Sequence, residues 1–154
     1  MKLIVFKILE KEYALDVLNV IQVIRQRPIT GVPETSDFVE GVIAWRGKII
    51  PLVNMRKKFA SSPQAFQQVS RFIITKVKNH NLGIIVDSVT DVLRIDDAIV
   101  EAPDEVLKDA SYLKGVVKID QRIIILIDIE KLFSPEEETT LQGVQAQVEI
   151  RKKE

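Results

Sequence analysis

The chain contains an internal repeat, which restricts its fold more than any other sequence feature. Residues 41–59 align without gaps on residues 115–133, and residues 13–25 align without gaps on residues 82–94. The identical pairs are Gly41/Gly115, Val42/Val116, Ile49/Ile123, Ile50/Ile124, Leu52/Leu126, Lys57/Lys131, Phe59/Phe133, Val17/Val86, Val20/Val89, Val23/Val92 and Arg25/Arg94. Chance matches between apolar strands do not readily keep two blocks in the same order, so we infer a duplication of about sixty residues.

The composition predicts that both copies are built from strands. The chain has 21 Ile and 19 Val but only 12 Leu and 8 Ala. Side chains branched at Cβ lose rotamer freedom in helices and pack well on pleated sheets. We therefore predict a mainly β fold with short helical turns, in which each copy has about five strands, enough for a small closed barrel. Because the run Ile123–Ile127 has no polar alternation, we expect both of its faces to be buried in a core shared by the copies.

We predict a single domain over residues 1–133. Its approximate copies are residues 3–59 and 71–133, and the Ser-, Pro- and Gln-containing residues 60–70 form a linker between them. Residues 134–154 form a polar tail that is either helical or disordered. The low apolar content of this tail predicts that it contributes little packing.

Charge and cysteine content argue against several classes of protein. The 22 Lys and Arg balance 22 Asp and Glu, whereas general nucleic-acid binding needs a net basic surface. Without cysteine there is no disulfide, thiolate nucleophile or Cys-based metal site. The apolar run at residues 3–6 is too short for a signal peptide or a membrane span, so we expect a cytoplasmic protein without direct membrane insertion.

Residues of the kinds that catalyse reactions are present but not grouped. His80, the only histidine, is interpreted as an exposed residue of a hairpin turn. Asp16, Asp87 and Asp128 lie apart at strand ends, where solvated carboxylates are far commoner than an acid–base pair. The glycines are scattered and form no phosphate-binding loop. We therefore predict no enzyme activity, no catalytic residue, no metal and no cofactor.

The two copies differ in charge. Residues 41–59 carry basic side chains without an acid, whereas residues 96–109 carry six acids and one base. These stretches are either two solvated loops or complementary recognition surfaces on opposite ends of the molecule.

The copies also differ at the tip of a predicted hairpin. Trp45, Arg46 and Gly47 in the first copy are replaced by residues 119–121, Ile-Asp-Gln, in the second. Gly47 suits the backbone geometry of a tight turn, and Trp and Arg are common interface anchors. A single Trp in a β protein is as often part of the core, so Trp45 has two interpretations.

Residues 41–56, GVIAWRGKIIPLVNMR, resemble the signature of the chemotaxis coupling protein family CheW, in which this stretch is typically G-V-I-N-L-R-G followed by an apolar segment and D-L-R. Residues 86–95 and 112–116 resemble signatures of the family's second half, and the resemblance covers about residues 3–133. The departures are Ala44-Trp45 for Asn-Leu, Asn54 for Asp, and Gln22 where Glu is frequent.

The resemblance implies two SH3-like five-stranded barrels on a shared hydrophobic core, and a protein that is not an enzyme. It implies an adaptor that joins the regulatory domain of the histidine kinase CheA to the cytoplasmic tips of methyl-accepting chemoreceptors, in arrays at the inner membrane. By position, the expected receptor-facing residues are Val20, Gln22, Trp45, Arg46 and Gly47. The kinase-facing surface is expected on the second copy, without assigned residues.

Three other functions remain open at this point. The chain fits an adaptor of a related motility pathway. It also fits a pair of nucleic-acid-binding barrels that use the basic stretch of the first copy, although neutral charge and few aromatic residues argue against them. A small-molecule-binding barrel is the third alternative.

Overall fold

A computed structural model describes residues 1–33, 37–60, 70–96, 100–101 and 111–153, and it shows the mainly β fold that the composition predicts. The strands are β1 (Lys2–Ile8), β2 (Lys11–Asp16), β3 (Val20–Arg25), β4 (Val39–Trp45), β5 (Lys48–Asn54), β6 (Arg71–Val77), β7 (His80–Val86), β8 (Ser88–Arg94), β9 (Val100–Glu101), β10 (Leu113–Ile119) and β11 (Arg122–Ile127). The helices are α1 (Met55–Ala60) and α2 (Pro135–Lys153), with 3-10 turns at Val17–Asn19 and Ile129–Lys131.

The strands form two sheets, but the sheets do not correspond to the two sequence copies. The first sheet has the order β3-β6-β7-β5-β4, and the second has the order β8-β1-β2-β11-β10-β9. The hairpin that opens each copy therefore lies among strands of the other copy. Our expectation that each copy closes a barrel of its own is wrong. The first sheet is contiguous in sequence, whereas the second is assembled from segments on both sides of it.

The linker predicted at residues 60–70 begins at the end of α1 and precedes β6. Most of it, residues 61–69, lies outside the described residues. The nearest strands before and after it, β5 and β6, belong to the same sheet.

The exchange of hairpins has the same register in both sheets. β5 pairs in parallel with β7, with Leu52 opposite Gly83, and β11 pairs in parallel with β2, with Leu126 opposite Ala14. A register shift falls between Val20 and Gln22 on β3, and the equivalent shift falls where β8 pairs with β1. The duplication therefore extends to backbone irregularities that the sequence alignment did not reveal.

In each sheet, residues that follow one edge strand pair with a strand at the opposite edge. After β3 the chain crosses to the opposite edge, where Thr30 bridges Val42 of β4, and β9 pairs with β10 in the corresponding way. The matched glycines lie at these crossings. A Cβ on Gly41 would collide with the Thr30 carbonyl oxygen, and one on Gly115 would lie 3.0 Å from the Glu101 carbonyl oxygen.

The described residues contain three apolar clusters. One lies within the first sheet, one within the second, and the largest combines residues of both sheets, which confirms a shared core. The strands covered on both faces are mainly those of the exchanged hairpins, as the burial along β1 and β7 shows. The prediction for Ile123–Ile127 is partly wrong, because Ile123 is 60% exposed and Ile125 is only partly buried.

The tail is helical and docks on the domain, which corrects our expectation of little packing. Ser134 and Glu137 form a capping box, with the Glu137 amide donating to Ser134 Oγ at 3.1 Å and the Ser134 amide donating to Glu137 Oε1 at 2.9 Å. Leu141 and Val144 of α2 are buried at 5% and 4% exposure. Lys58 Nζ lies 2.6 Å from Glu137 Oε2 and links the helix to α1.

This ion pair predicts an acid-sensitive contribution to stability. Burial alone would raise the pKa of Glu137, but hydrogen bonds from Lys58 and Ser134 outweigh it and hold the pKa below its ordinary value. A lowered pKa stabilises the fold above the unfolded pKa and ceases to do so as pH falls through the folded pKa. We expect Glu137→Gln to lower the free energy of unfolding by about 1 to 2 kcal/mol at pH 7, with the difference closing below about pH 4.

Denaturant titrations at several pH values measure this effect. Glu138→Gln is the matched control, because its partner Lys78 is 56% exposed and such pairs contribute about 0.5 kcal/mol. A pH-independent difference between the wild type and Glu137→Gln would contradict the assignment.

Candidate protein-interaction site

The β4–β5 hairpin ends in a two-residue turn that projects Arg46 and Gly47 into solvent. Trp45 pairs with Lys48 across the hairpin, and the two residues between them have φ values of +49° and +75°. Positive φ at both central positions defines the turn type that matches the twist of a β-hairpin, and glycine is favoured at the second.

Of the two interpretations of Trp45, the structure shows the second: the residue is part of the core of the first sheet. It belongs to the buried cluster that also contains Ile24, Ile43 and Phe72, and the residue is only 6% exposed. The indole Nε1 donates a hydrogen bond of 2.9 Å to Gln22 Oε1 on β3. Since β3 and β4 are the two edge strands of this sheet, this hydrogen bond connects its edges.

Arg46 lies on the outer side of the indole. Its Cζ is 4.7 Å from the centroid of the Trp45 ring, within the range of a cation–π interaction. Over the residues that the structure describes, the guanidinium of Arg46 has no ion pair. The tip therefore presents an exposed cation that rests on a buried aromatic ring.

The structure brings four of the five expected receptor-facing residues together and places the fifth on another face. Gln22, Trp45, Arg46 and Gly47 lie at one end of the first sheet. Because of the register shift at Ile21, Val20 is paired with Thr75 and Gln22 with Ile74. Neighbouring residues of β6 face opposite sides of the sheet, so the side chains of Val20 and Gln22 also lie on opposite faces. Val20 packs against the shared core.

Sequence reasoning missed a support of the tip and an exposed apolar surface beside β3. Arg27 Nη1 donates to the Ala44 carbonyl oxygen at 3.0 Å, although nothing in its Pro-flanked loop indicates this contact. Leu18 and Ile21 are 90% and 38% exposed. Leu18 lies in the 3-10 turn before β3 and Ile21 lies at the bulge, so the alternation along β3 does not indicate the exposure of either residue.

The equivalent end of the second sheet has a different electrostatic arrangement. Arg122 Nη2 lies 2.7 Å from both Glu12 Oε1 and Asp91 Oδ2. Hydrogen bonds to these carboxylates raise the pKa of the guanidinium above its ordinary value. In the sequence alignment Asp91 corresponds to Gln22, so the same strand position holds a paired carboxylate in one copy and a neutral amide in the other.

The three aspartates of the sequence analysis have structural roles. Asp16 and Asp128 cap the two 3-10 turns. The expectation of a solvated carboxylate is wrong for Asp87, which lies 2.7 Å from Arg56 Nε and accepts a hydrogen bond of 2.8 Å from the Leu9 amide. This pair ties α1 to the β1–β2 turn of the other sheet. His80 is exposed at the start of β7, as predicted.

Asn54, one of the departures from the CheW signature, has a local explanation. Its Oδ1 accepts a hydrogen bond from the Lys57 amide in the first turn of α1, as an aspartate would. Its Nδ2 donates to Glu40 Oε1 at 2.8 Å, which an aspartate cannot do. The carboxylate of Glu40 therefore favours an amide at this position.

Within the described ranges, no group of three or more His, Asp or Glu side chains is arranged to hold a metal ion. Over the same residues, no helix combines the length and the apolar character that a membrane span requires.

Two sheets with exchanged hairpins, a shared core and an exposed hairpin tip define a duplicated, SH3-like β domain. A family model described as "CheW-like domain" matches residues 2–137. The chain is 40% identical to the chemotaxis protein CheW of Thermotoga maritima, over 90% of either chain, and 34% identical to that of Klebsiella aerogenes, over 92% of this chain and 86% of the relative. The crystal structure of the scaffolding protein TtCheW from Thermoanaerobacter tengcongensis superposes with a TM-score of 0.81 at 36% identity, over 88% of this chain and 89% of that one. The chain belongs to the CheW-like family.

Proposed function

We propose that this chain is a non-catalytic adaptor that couples the cytoplasmic tips of chemoreceptors to the regulatory domain of the histidine kinase CheA. It acts in the cytoplasm and reaches receptor arrays at the inner membrane through these partners. Family membership, with relatives named as chemotaxis proteins, supports the pathway.

The single observation that supports the receptor-contact site is the exposed Arg46 at the hairpin tip, stacked on the Trp45 ring. A guanidinium offers five donors in a planar fork and can bind several acceptors on a helical hairpin. The buried Trp45 beneath it limits the rotamers that Arg46 must give up on binding. This reduces the entropic cost of using a long side chain as an interface anchor.

We expect Arg46→Ala to weaken receptor binding about thirtyfold, because truncating an interface anchor typically costs about 2 kcal/mol. Arg46 is exposed, so the free energy of unfolding should change by less than about 0.5 kcal/mol. Titration calorimetry with a soluble receptor hairpin fragment, beside thermal melting, measures both quantities.

Asp120→Ala is the matched control, since Asp120 occupies the equivalent hairpin position with a similar φ of +54°. It should leave receptor affinity unchanged. Unchanged affinity for Arg46→Ala would reject the site, and a large loss of melting temperature would make Arg46 a structural residue.

The pairing of receptor and kinase is tested separately. Immobilised wild-type chain should retain both a receptor fragment and the regulatory domain of CheA in one complex. Retention of neither would reject the adaptor function. A gel shift with nonspecific DNA and RNA should be negative at physiological salt, which tests the nucleic-acid alternative.

A further inference from the structure

Two departures from the CheW signature, Gln22 and Trp45, touch each other. The hydrogen bond between Trp45 Nε1 and Gln22 Oε1 measures 2.9 Å and joins residues that are 23 positions apart in sequence. A leucine at position 45 would have no donor for this contact. The two residues therefore form one unit, and Arg46 lies on the outer side of it.

The second copy shows what a carboxylate does at the position of Gln22. Asp91 there lies 2.7 Å from Arg122, a cation of the β10–β11 hairpin that aligns with Lys48, and Glu12 completes the cluster. Arg122 is thus held by intramolecular charges. In the first copy the Gln22 oxygen is neutral and already accepts the indole hydrogen, so it does not capture a hairpin cation.

We infer that Gln22 and Trp45 are positioning residues that hold the Arg46 guanidinium over the indole without neutralising it, so that the tip presents an oriented cation to a carboxylate of the binding partner. Trp45 supplies a flat surface that restricts Arg46, and Gln22 fixes the indole from the opposite edge of the sheet. The carboxylate assignment follows from the planar fork of arginine, which matches a carboxylate with two parallel hydrogen bonds. This inference rests on the proposed receptor contact for its partner but not for its geometry.

The geometry is tested on the protein alone. The guanidinium centre lies 4.7 Å from the ring centroid, so the Arg46 side-chain protons should show upfield ring-current shifts in NMR spectra. Trp45→Leu should abolish these shifts. Trp45→Phe keeps an aromatic ring but loses the donor to Gln22, so the shifts should shrink without vanishing. Arg46 shifts that are unchanged in Trp45→Leu would overturn the positioning role.

The partner chemistry is tested with the receptor hairpin fragment. Arg46→Ala should cost about thirtyfold in affinity in the wild type but threefold or less in the Trp45→Leu background, because Arg46 is no longer held there. Gln22→Glu should weaken binding about tenfold and have little effect once Arg46 is alanine, since the new carboxylate competes for the guanidinium. Full additivity of these changes would overturn the inference.

The two proposals fail in different ways. If Arg46→Ala leaves affinity unchanged while Trp45→Leu removes the ring-current shifts, the proposed receptor contact and its carboxylate partner are both wrong. The positioning of Arg46 over the indole is then still supported. If the shifts are absent from the wild type while Arg46→Ala still weakens binding, the receptor contact stands and the positioning role is overturned.

Discussion

Residues 1–66 and residues 67–154, expressed separately, will each fail to fold. The cut divides the first sheet between β5 and β6 and leaves β1 and β2 without β8 and β11, to which they are hydrogen-bonded. Each half also loses one side of the shared core. A chain of this length without a completed core is marginal at best, so the expected effect is loss of the native state.

NMR spectra of the two fragments check this expectation, and each should show the narrow amide dispersion of an unfolded chain. An equimolar mixture is the control, because every strand pair is then available and dispersion should return. A fragment of residues 17–87 tests the first sheet by itself, since it contains all five strands of that sheet but neither β1 nor β2. A well-dispersed spectrum from either half alone would show that the shared core is not needed.

Gly41→Ala will destabilise the protein by about 3 kcal/mol or more, the largest effect we expect from a single substitution. Gly41 has a φ of +146°, which side chains rarely adopt, and a Cβ there would collide with the Thr30 carbonyl oxygen. Thr30 cannot move freely, because its carbonyl accepts a hydrogen bond of 2.8 Å from the Val42 amide. Backbone strain and displacement of the crossing segment therefore add to each other.

Urea unfolding of Gly41→Ala measures this loss, and Gly31→Ala is its matched control. Gly31 is the neighbour of Thr30, but a Cβ there would meet no heavy atom within 4 Å, so the change should stay within about 0.5 kcal/mol. If both variants were equally stable, the crossing at Gly41 would not be a tight constraint.

Much of the candidate site could be predicted from the sequence because a tight hairpin is a local structure. The turn at Arg46 and Gly47 follows from two predicted strands separated by two residues, one of them glycine. The separation of Val20 from Gln22 could not be predicted, because a bulge at Ile21 reverses the alternation and leaves no signature in residue type. The buried contact between Trp45 and Gln22 crosses the edges of a sheet, so local sequence does not reveal it.

The sequence by itself determined the mainly β fold, the duplication and the family resemblance, because strand propensity, repeated spacing and a turn glycine are properties of local segments. The tertiary structure decided which hairpin completes which sheet. The opening hairpins of both copies are apolar on both faces, so residue type alone does not assign either hairpin to a sheet. The exchange of hairpins is decided by the burial of both faces in the folded protein. The same reason explains the tail: Leu141 and Val144 are too few to indicate packing in sequence, yet they are buried because the domain offers them an apolar surface.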